Sequence, residues 1–472
     1  MKGLWPTLWV ALCGYVSPVS AYEPDVFGTA NNVARQAVYD ESRGNLACQF
    51  KVPSKPLQLE EVIERILCHD PQIRLSWANA KAQAAQVGVS QAAYLPRLDG
   101  RLNSSRGNGS IDYDDPDFRS GDGHRRRNSS SLELSWVLFD FGRRDATLNN
   151  ARQLLRAANA NQDSALQAAF FQAAQAYFGA LAAERTLAAS DQIAEVAAQN
   201  FEAADAKYKA GAAALSDRLQ AQTAFSQALL RQIQDRGSLR NTMGNIALRM
   251  GLAPETPLHL AGDLNRLPDT HFVKSVNELL AQARQEHPAL LAAQARLEAA
   301  KAAVEETRAA GMPSIALTAN LSRGRNDQSQ VFNGNSSDRD QSIALQISIP
   351  LFEGFSRNYQ IRNAQAQIEA SQAQLADTQQ QVALDLWSNY QALRIDTESL
   401  QRASDLVTQS YQSLQVVQGR YRSGVGGMIE LLNALTAYTD AQEQQIQILN
   451  SWQTSRLGLA ASLGRLGFWT LE

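Results

Sequence analysis

HDPQIRLSWANAKAQAAQVGVSQAAYLPRLDG at 69–100 and EHPALLAAQARLEAAKAAVEETRAAGMPSIAL at 286–317 share one layout. In each, one Pro opens an Ala-rich run and a second Pro closes it. Pro71 precedes Pro288, and Pro96 precedes Pro313, by 217 residues. Farther on, WVLFDFGRR (136–144) matches IPLFEGFSR (349–357), and Tyr177/Tyr390, Tyr208/Tyr421, Gly211/Gly424 and Gly251/Gly464 are pairs 213 apart. The chain is a tandem duplication whose second copy is shorter between its second Pro and the Leu-Phe-acid motif, and a repeat on this scale decides architecture.

Each copy reads in the same order. A helix of about 25 residues, 71–94 or 288–311, comes first. The closing Pro then starts a period-two pattern. In PSIALTANLSRGR (313–325), Ile315, Leu317, Ala319 and Leu321 alternate with polar or small residues, as do Ile343, Leu345, Ile347 and Ile349 in QSIALQISIPLF (341–352). These are strands, and Leu98, Leu102, Leu132, Leu134, Trp136 and Leu138 mark their weaker counterparts in the first copy. The strands of each hairpin are joined by long polar loops, read as 107–127 and 326–340. Proline-free helical runs over 142–209 and 354–422 follow, their apolar residues stepping by three and four. At 1.5 Å per residue, each such rod is about 100 Å long. YKAGAAALSDRLQAQ (208–222) and YRSGVGGMIELLNAL (421–435) break the rods at Gly211 and Gly424, and return helices over 214–250 and 427–463 lead back.

The organisation is therefore a leader at 1–21, an arm at 22–56, a first repeat at 57–265 and a second at 266–472. The hairpins lie at 96–141 and 313–352, and the long helices at 142–250 and 354–464. Lys2, an apolar run from Leu4 to Val16 and Val19-Ser20-Ala21 have the form of a secretory signal; a membrane anchor is the alternative. Cys13 follows Leu12, a poor context for lipidation. In an exported chain, Cys48 and Cys68 are expected to pair, with two unpaired thiols as the alternative. A formal charge of −3 over 472 residues gives no reason to expect nucleic acid as a partner.

The mature sequence has no apolar run near 20 residues, so entry into a membrane requires strands. An open sheet edge is not tolerated in lipid, and bacterial barrels begin at about eight strands. Four strands per chain cannot close a barrel, so closure needs at least two copies, and three would supply twelve strands. The expected fold is an α+β membrane protein, a β-barrel closed by several copies of the chain and continued away from the membrane by the long helices. A soluble α+β protein and a solid trimeric stalk or adhesin are the alternatives. The polar face of Ser314, Thr318 and Asn320 speaks against a filled barrel.

Taken together, the repeat, Tyr94-Leu95-Pro96, Trp136-Val137-Leu138-Phe139-Asp140, Tyr208-x-x-Gly211 and Tyr421-x-x-Gly424 resemble the TolC family of outer-membrane efflux and export proteins. The resemblance implies a homotrimer in outer-membrane lipid, a trimeric twelve-stranded barrel continued by a coiled-coil helical tunnel that reaches through the periplasm to an adaptor protein and an inner-membrane transporter. It implies neither enzymatic activity nor a cofactor. The Cys48/Cys68 pair and ILCHDPQIRLSWANAKAQAAQVG (66–88) resemble the type I secretion branch, whose transporter is an ABC protein. Multidrug efflux with a proton-driven pump is the alternative.

The same resemblance places a gate at the two breaks. Acids on the second turn helix ring the family's constriction, and Glu430 and Asn433 occupy those positions. Three Glu430 carboxylates in a narrow pore would repel one another and attract cations, while Asn433 leaves a second ring neutral. An Asp and a Tyr bonded to an Arg lock the family's tip. Asp217 and Tyr421 match the first two, but the Arg position is Gly426, with Arg420 or Arg422 as the candidate substitute. Glu430 and Asp217 also suit a plain role as acids near helix N-termini. DYDDPD (112–117) lacks the Gly and closing Glu of a calcium loop, HRRR (124–127) could meet lipid phosphates, and His69 and His287 read as helix-start residues.

Overall fold

The computed structural model describes residues 25–40, 44–45, 48, 55–111, 121–262, 276–328 and 336–467. The leader and DYDDPD lie outside them. A short hairpin, β1 (Tyr39–Asp40) and β2 (Gly44–Asn45), precedes α1 (Leu59–His69) and α2 (Pro71–Ala92). Strands β3 (Arg97–Ile111) and β4 (Gly121–Phe139) lead into α3 (Arg143–Lys209) and α4 (Leu215–Arg249). The second copy runs α5 (Val276–Glu286), α6 (Pro288–Ala309), β5 (Ser314–Gln328), β6 (Ser336–Ser348), α7 (Ser356–Arg422) and α8 (Met428–Ser462). Among the described residues no helix is long and apolar enough to cross a membrane.

Two parts of the sequence reading need correction. The helices α1 and α5, ahead of each opening Pro, were not separated from their surroundings. The reading also ended the strands too early. β3 and β4 pair as far as Ile111↔Gly121, and β5 and β6 as far as Asn326↔Ser336, deep into the stretches read as loops. Along these outer lengths both sheet faces are polar, so alternation disappears although the backbone ladder continues.

The sheet order is β3-β4-β5-β6, antiparallel throughout. Its register sorts side chains onto two faces. Leu98, Leu134, Ala319 and Ile343 form one row on the apolar face, and Trp136, Leu317 and Leu345 form the next. The opposite face presents Glu133, Asn320 and Ser342 in one row and Ser135 and Thr318 in another.

Each strand-to-helix corner takes two successive residues in the left-handed region, Phe141-Gly142 (φ 49° and 86°) and Gly354-Phe355 (φ 58° and 64°). An arginine four residues after the motif acid fastens each corner. Arg144 pairs with Asp140 at 2.9 Å and donates to the carbonyls of Val137 and Ala93 at 2.8 and 3.4 Å. Arg357 pairs with Glu353 at 2.8 Å and donates to the Thr307 carbonyl at 3.2 Å. The Leu-Phe-acid motif is thus half of a clamp joining strand, short helix and long helix.

Below the corners, α3 packs on α4 and α8, and α7 on α8; nearer the sheet, α2, α3, α6 and α7 lie side by side. Alanines such as Ala173, Ala174 and Ala180, fully buried, let the rods approach closely. A mid-height core gathers Val62, Ile63 and Ile66 of α1 against Phe170 and Tyr177 of α3. There the Tyr177 hydroxyl donates to the Ala261 carbonyl at 2.8 Å, beside a parallel bridge between Leu57 and Leu260. Cys48 is disulfide-bonded to Cys68 of α1.

Candidate gate at the helical tip

Helices α3 and α7 end in the same way. The amides of Gly211 and Ala212 donate to the carbonyls of Tyr208 and Lys207 at 3.0 and 2.8 Å; Gly424 and Val425 repeat this on Tyr421 and Arg420 at 3.1 and 3.0 Å. This capping pattern needs a left-handed residue, and Gly211 (φ 74°) and Gly424 (φ 84°) supply it. Each chain then reverses into α4 or α8 over a buried cluster that includes Ala204, Ala221, Leu414, Met428, Leu431 and Leu435.

On the second turn, Arg420 Nη1 meets Glu430 Oε1 at 2.6 Å, tying the end of α7 to the start of α8. Arg420 is therefore engaged with the expected ring acid and not with Asp217. Asn433 is exposed one helical turn farther along α8. The Gly426 amide also donates to the Arg420 carbonyl, at 3.1 Å, and a Cβ at Gly426 would lie 3.1 Å from the Tyr421 nitrogen. Any larger residue there requires this turn to shift.

On the first turn a different set of charges meets. Asp205 bridges Lys209 at 2.6 Å and Arg218 at 2.7 Å, linking α3 to α4. Hydrogen bonds from Lys209, then Arg218, hold its carboxyl below the usual aspartate range against a desolvation penalty. Lys207 instead reaches across to α7. It donates to the Tyr421 carbonyl and lies 4.2 Å from the Tyr421 ring centroid.

Tyr421 is buried, and among the described residues its hydroxyl finds no hydrogen-bond partner. Burial, then the Asp217 carboxylate nearby, raises its pKa. Asp217 itself accepts from Ser216 Oγ at 3.4 Å. Asp217 thus acts on Tyr421 through its charge, while Lys207 contacts that residue directly. Sequence reasoning missed Lys207, Asp205 and Arg218. The repeat offset held a clue to the first, because Lys207 stands 213 residues before Arg420.

A family model described as outer membrane efflux protein matches residues 62–252 and 279–465. The chain belongs to this family. Among related outer membrane efflux proteins, it is 32% identical to Protein CyaE of Bordetella pertussis over 422 residues, 88% of this chain and 86% of that one. It is 23% identical to the outer membrane protein TolC of Salmonella enteritidis over 432 residues, 88% of this chain and 84% of that one. The fold matches the outer-membrane channel OprN with a TM-score of 0.75 at 21% identity, covering 86% of this chain and 90% of that one. Efflux proteins of this family are passive homotrimeric channels, not enzymes. They sit in the outer membrane, extend into the periplasm and work with periplasmic adaptors and inner-membrane transporters. The four-stranded sheet is accordingly one third of a twelve-stranded barrel, with the apolar rows facing lipid and the polar rows facing the lumen.

Proposed function

We propose that this channel is the exit duct of a type I protein export system, gated passively at its helical tip. The observation that carries the export reading is the disulfide from Cys48 to α1, within the ILCHDPQIRLSWANAKAQAAQVG segment that resembles the type I branch. Such a duct works with a periplasmic adaptor and an inner-membrane ABC transporter. The test is to crosslink the native assembly and identify the transporter that co-purifies with the trimer. An ABC ATPase is the expected result; a proton-driven pump overturns the reading in favour of multidrug efflux.

The gate reading rests on Glu430, Asn433, Asp217, Tyr421 and Gly426 with Lys207 and Arg420. Three copies would bring three Glu430–Arg420 pairs and three Lys207–Tyr421 contacts to one ring. Each Glu430 has a cation beside it, so the ring is less strongly negative than bare acids would make it. Cation selectivity is then weak at rest and grows when Arg420 is removed. Single-channel recording of purified trimers in planar bilayers tests this. Arg420→Gln should raise the cation-to-anion permeability ratio and Glu430→Gln should lower it; unchanged ratios in both would remove Glu430 from the pore.

A further inference from the structure

The lipid-facing side of the sheet changes character along its length. Counting away from the helices, its apolar rows end at Leu132 and Leu321. The next row on that face contains Leu102, Ser130, Arg323 and Arg339, followed by one with Ser104, Asn128, Arg325 and Ser337. The row after that holds Arg106, Arg126 and Asp327. From Ile315 to Arg323 is about 27 Å of strand, or roughly 21 Å along the membrane normal at a tilt near 40°. The arginines therefore start close to the upper edge of the apolar band.

Their placement is costly for the protein alone. Arg323 is directly opposite Arg339, and Arg106 directly opposite Arg126. Like charges at opposed positions of a sheet destabilise it. The lumen face is arranged differently: Arg97 pairs with Asp99 at 2.9 Å and Arg101 with Glu133 at 3.1 Å. Of the five outward arginines, Arg325 has an acid at 3.4 Å, Asp327.

We infer that the Arg323/Arg339 and Arg106/Arg126 pairs form a docking surface for a phosphate-bearing lipid of the outer leaflet. The headgroup phosphates lie between the opposed guanidinium groups, and the acyl chains lie on the apolar rows beneath. Charge complementarity and continuity with the lipid-facing band support this occupant. A guanidinium fork matches two phosphate oxygens at once, which explains arginine rather than lysine at all five positions.

The test reconstitutes the trimer in nanodiscs with a bis-phosphorylated glycolipid or with the same glycolipid stripped of phosphate. Lipid retained on intact trimers is then counted by native mass spectrometry. The wild type should retain the phosphorylated form about tenfold more than the stripped form. Arg323→Gln/Arg339→Gln should bring that ratio close to one, while the lumen variant Arg101→Gln should leave it unchanged. Equal retention of the two lipids by the wild type overturns the inference, as does the same loss in the lumen variant. Because only trimers are scored, misassembly cannot imitate lost binding, and the wild-type comparison is decisive even without variants.

Discussion

Lys207 and Arg420 stand at equivalent positions of the two repeats and hold different partners. Arg420 closes its own turn through Glu430, whereas Lys207 crosses to Tyr421 of the other repeat. Lys207→Met should therefore loosen α3 from α7 without opening the first turn, which Asp205 and Arg218 still bridge. The expected readout is a severalfold rise in open probability in planar bilayers, with little change in the melting temperature of the trimer. A second prediction concerns His287, the N-cap of α6, whose Nδ1 accepts from the Ala289 amide at 3.2 Å. Burial lowers its pKa, while Asp385 opposes the shift only in part. A depressed histidine adds stability when neutral, so the contribution is present above about pH 6.5 and is lost as pH falls through the folded-state value. The melting temperature should drop between pH 7 and 5, and the drop should shrink in His287→Asn, which keeps a capping oxygen; an identical pH profile in the variant would refute this role. His69 differs from the sequence reading. It ends α1, and Asp70 caps α2 by accepting from the Gln72 amide at 2.7 Å. Glu430 and Asp217 were legible because the repeat aligned them, but the partner exchange between Lys207 and Arg420 depends on which helix faces which.

At the scale of elements, four helices end on a left-handed glycine: Gly211, Gly251, Gly424 and Gly464. Two of them have room for a side chain and two do not. A Cβ at Gly211 or Gly424 meets nothing within 4 Å, so alanine should cost only the backbone term, about 1 kcal/mol. A Cβ at Gly464 would sit 2.8 Å from the His287 Cα and 2.8 Å from the Pro288 Cδ. Gly464→Ala should cost about 3 kcal/mol because packing strain is added. Equal melting-temperature losses for Gly424→Ala and Gly464→Ala would show that the contact with α6 relaxes freely. The long helices were legible almost to the residue, because uninterrupted three-four stepping, absent proline and terminal glycines agree with one another. The helices α1 and α5 were not. Each is 11 residues long, and a short apolar run beside a proline-capped helix reads as its continuation or as loop.

The whole molecule has two unlike edges. One is built of β3, α2 and α4, and the other of β6 and α7. Helices on both carry exposed apolar side chains, including Leu230 and Ile233 on α4 and Trp387 and Ile395 on α7. In a closed ring of three copies these edges meet, and β6 of one copy pairs with β3 of the next. Trp387→Asp should lower the temperature at which trimers dissociate in detergent by 10 °C or more, about 2 kcal/mol or more for a large aromatic at an interface. Trimers of Trp387→Asp as heat-resistant as the wild type would place that side chain outside the interface. The need for more than one copy could be read from the strand count, and the number three came with the family resemblance; the edge residues could not be read, since a single sequence does not say which apolar stripe faces inward. The arginine clamps at the corners have a mechanical consequence. Arg144 and Arg357 pin each rod at its strand end, so a tilt of α3 or α7 would take its fulcrum there. Over about 100 Å of helix, a swing of roughly 3° moves the far end by about 5 Å. A wide aperture at the tip is thereby compatible with a barrel that hardly moves in its lipid.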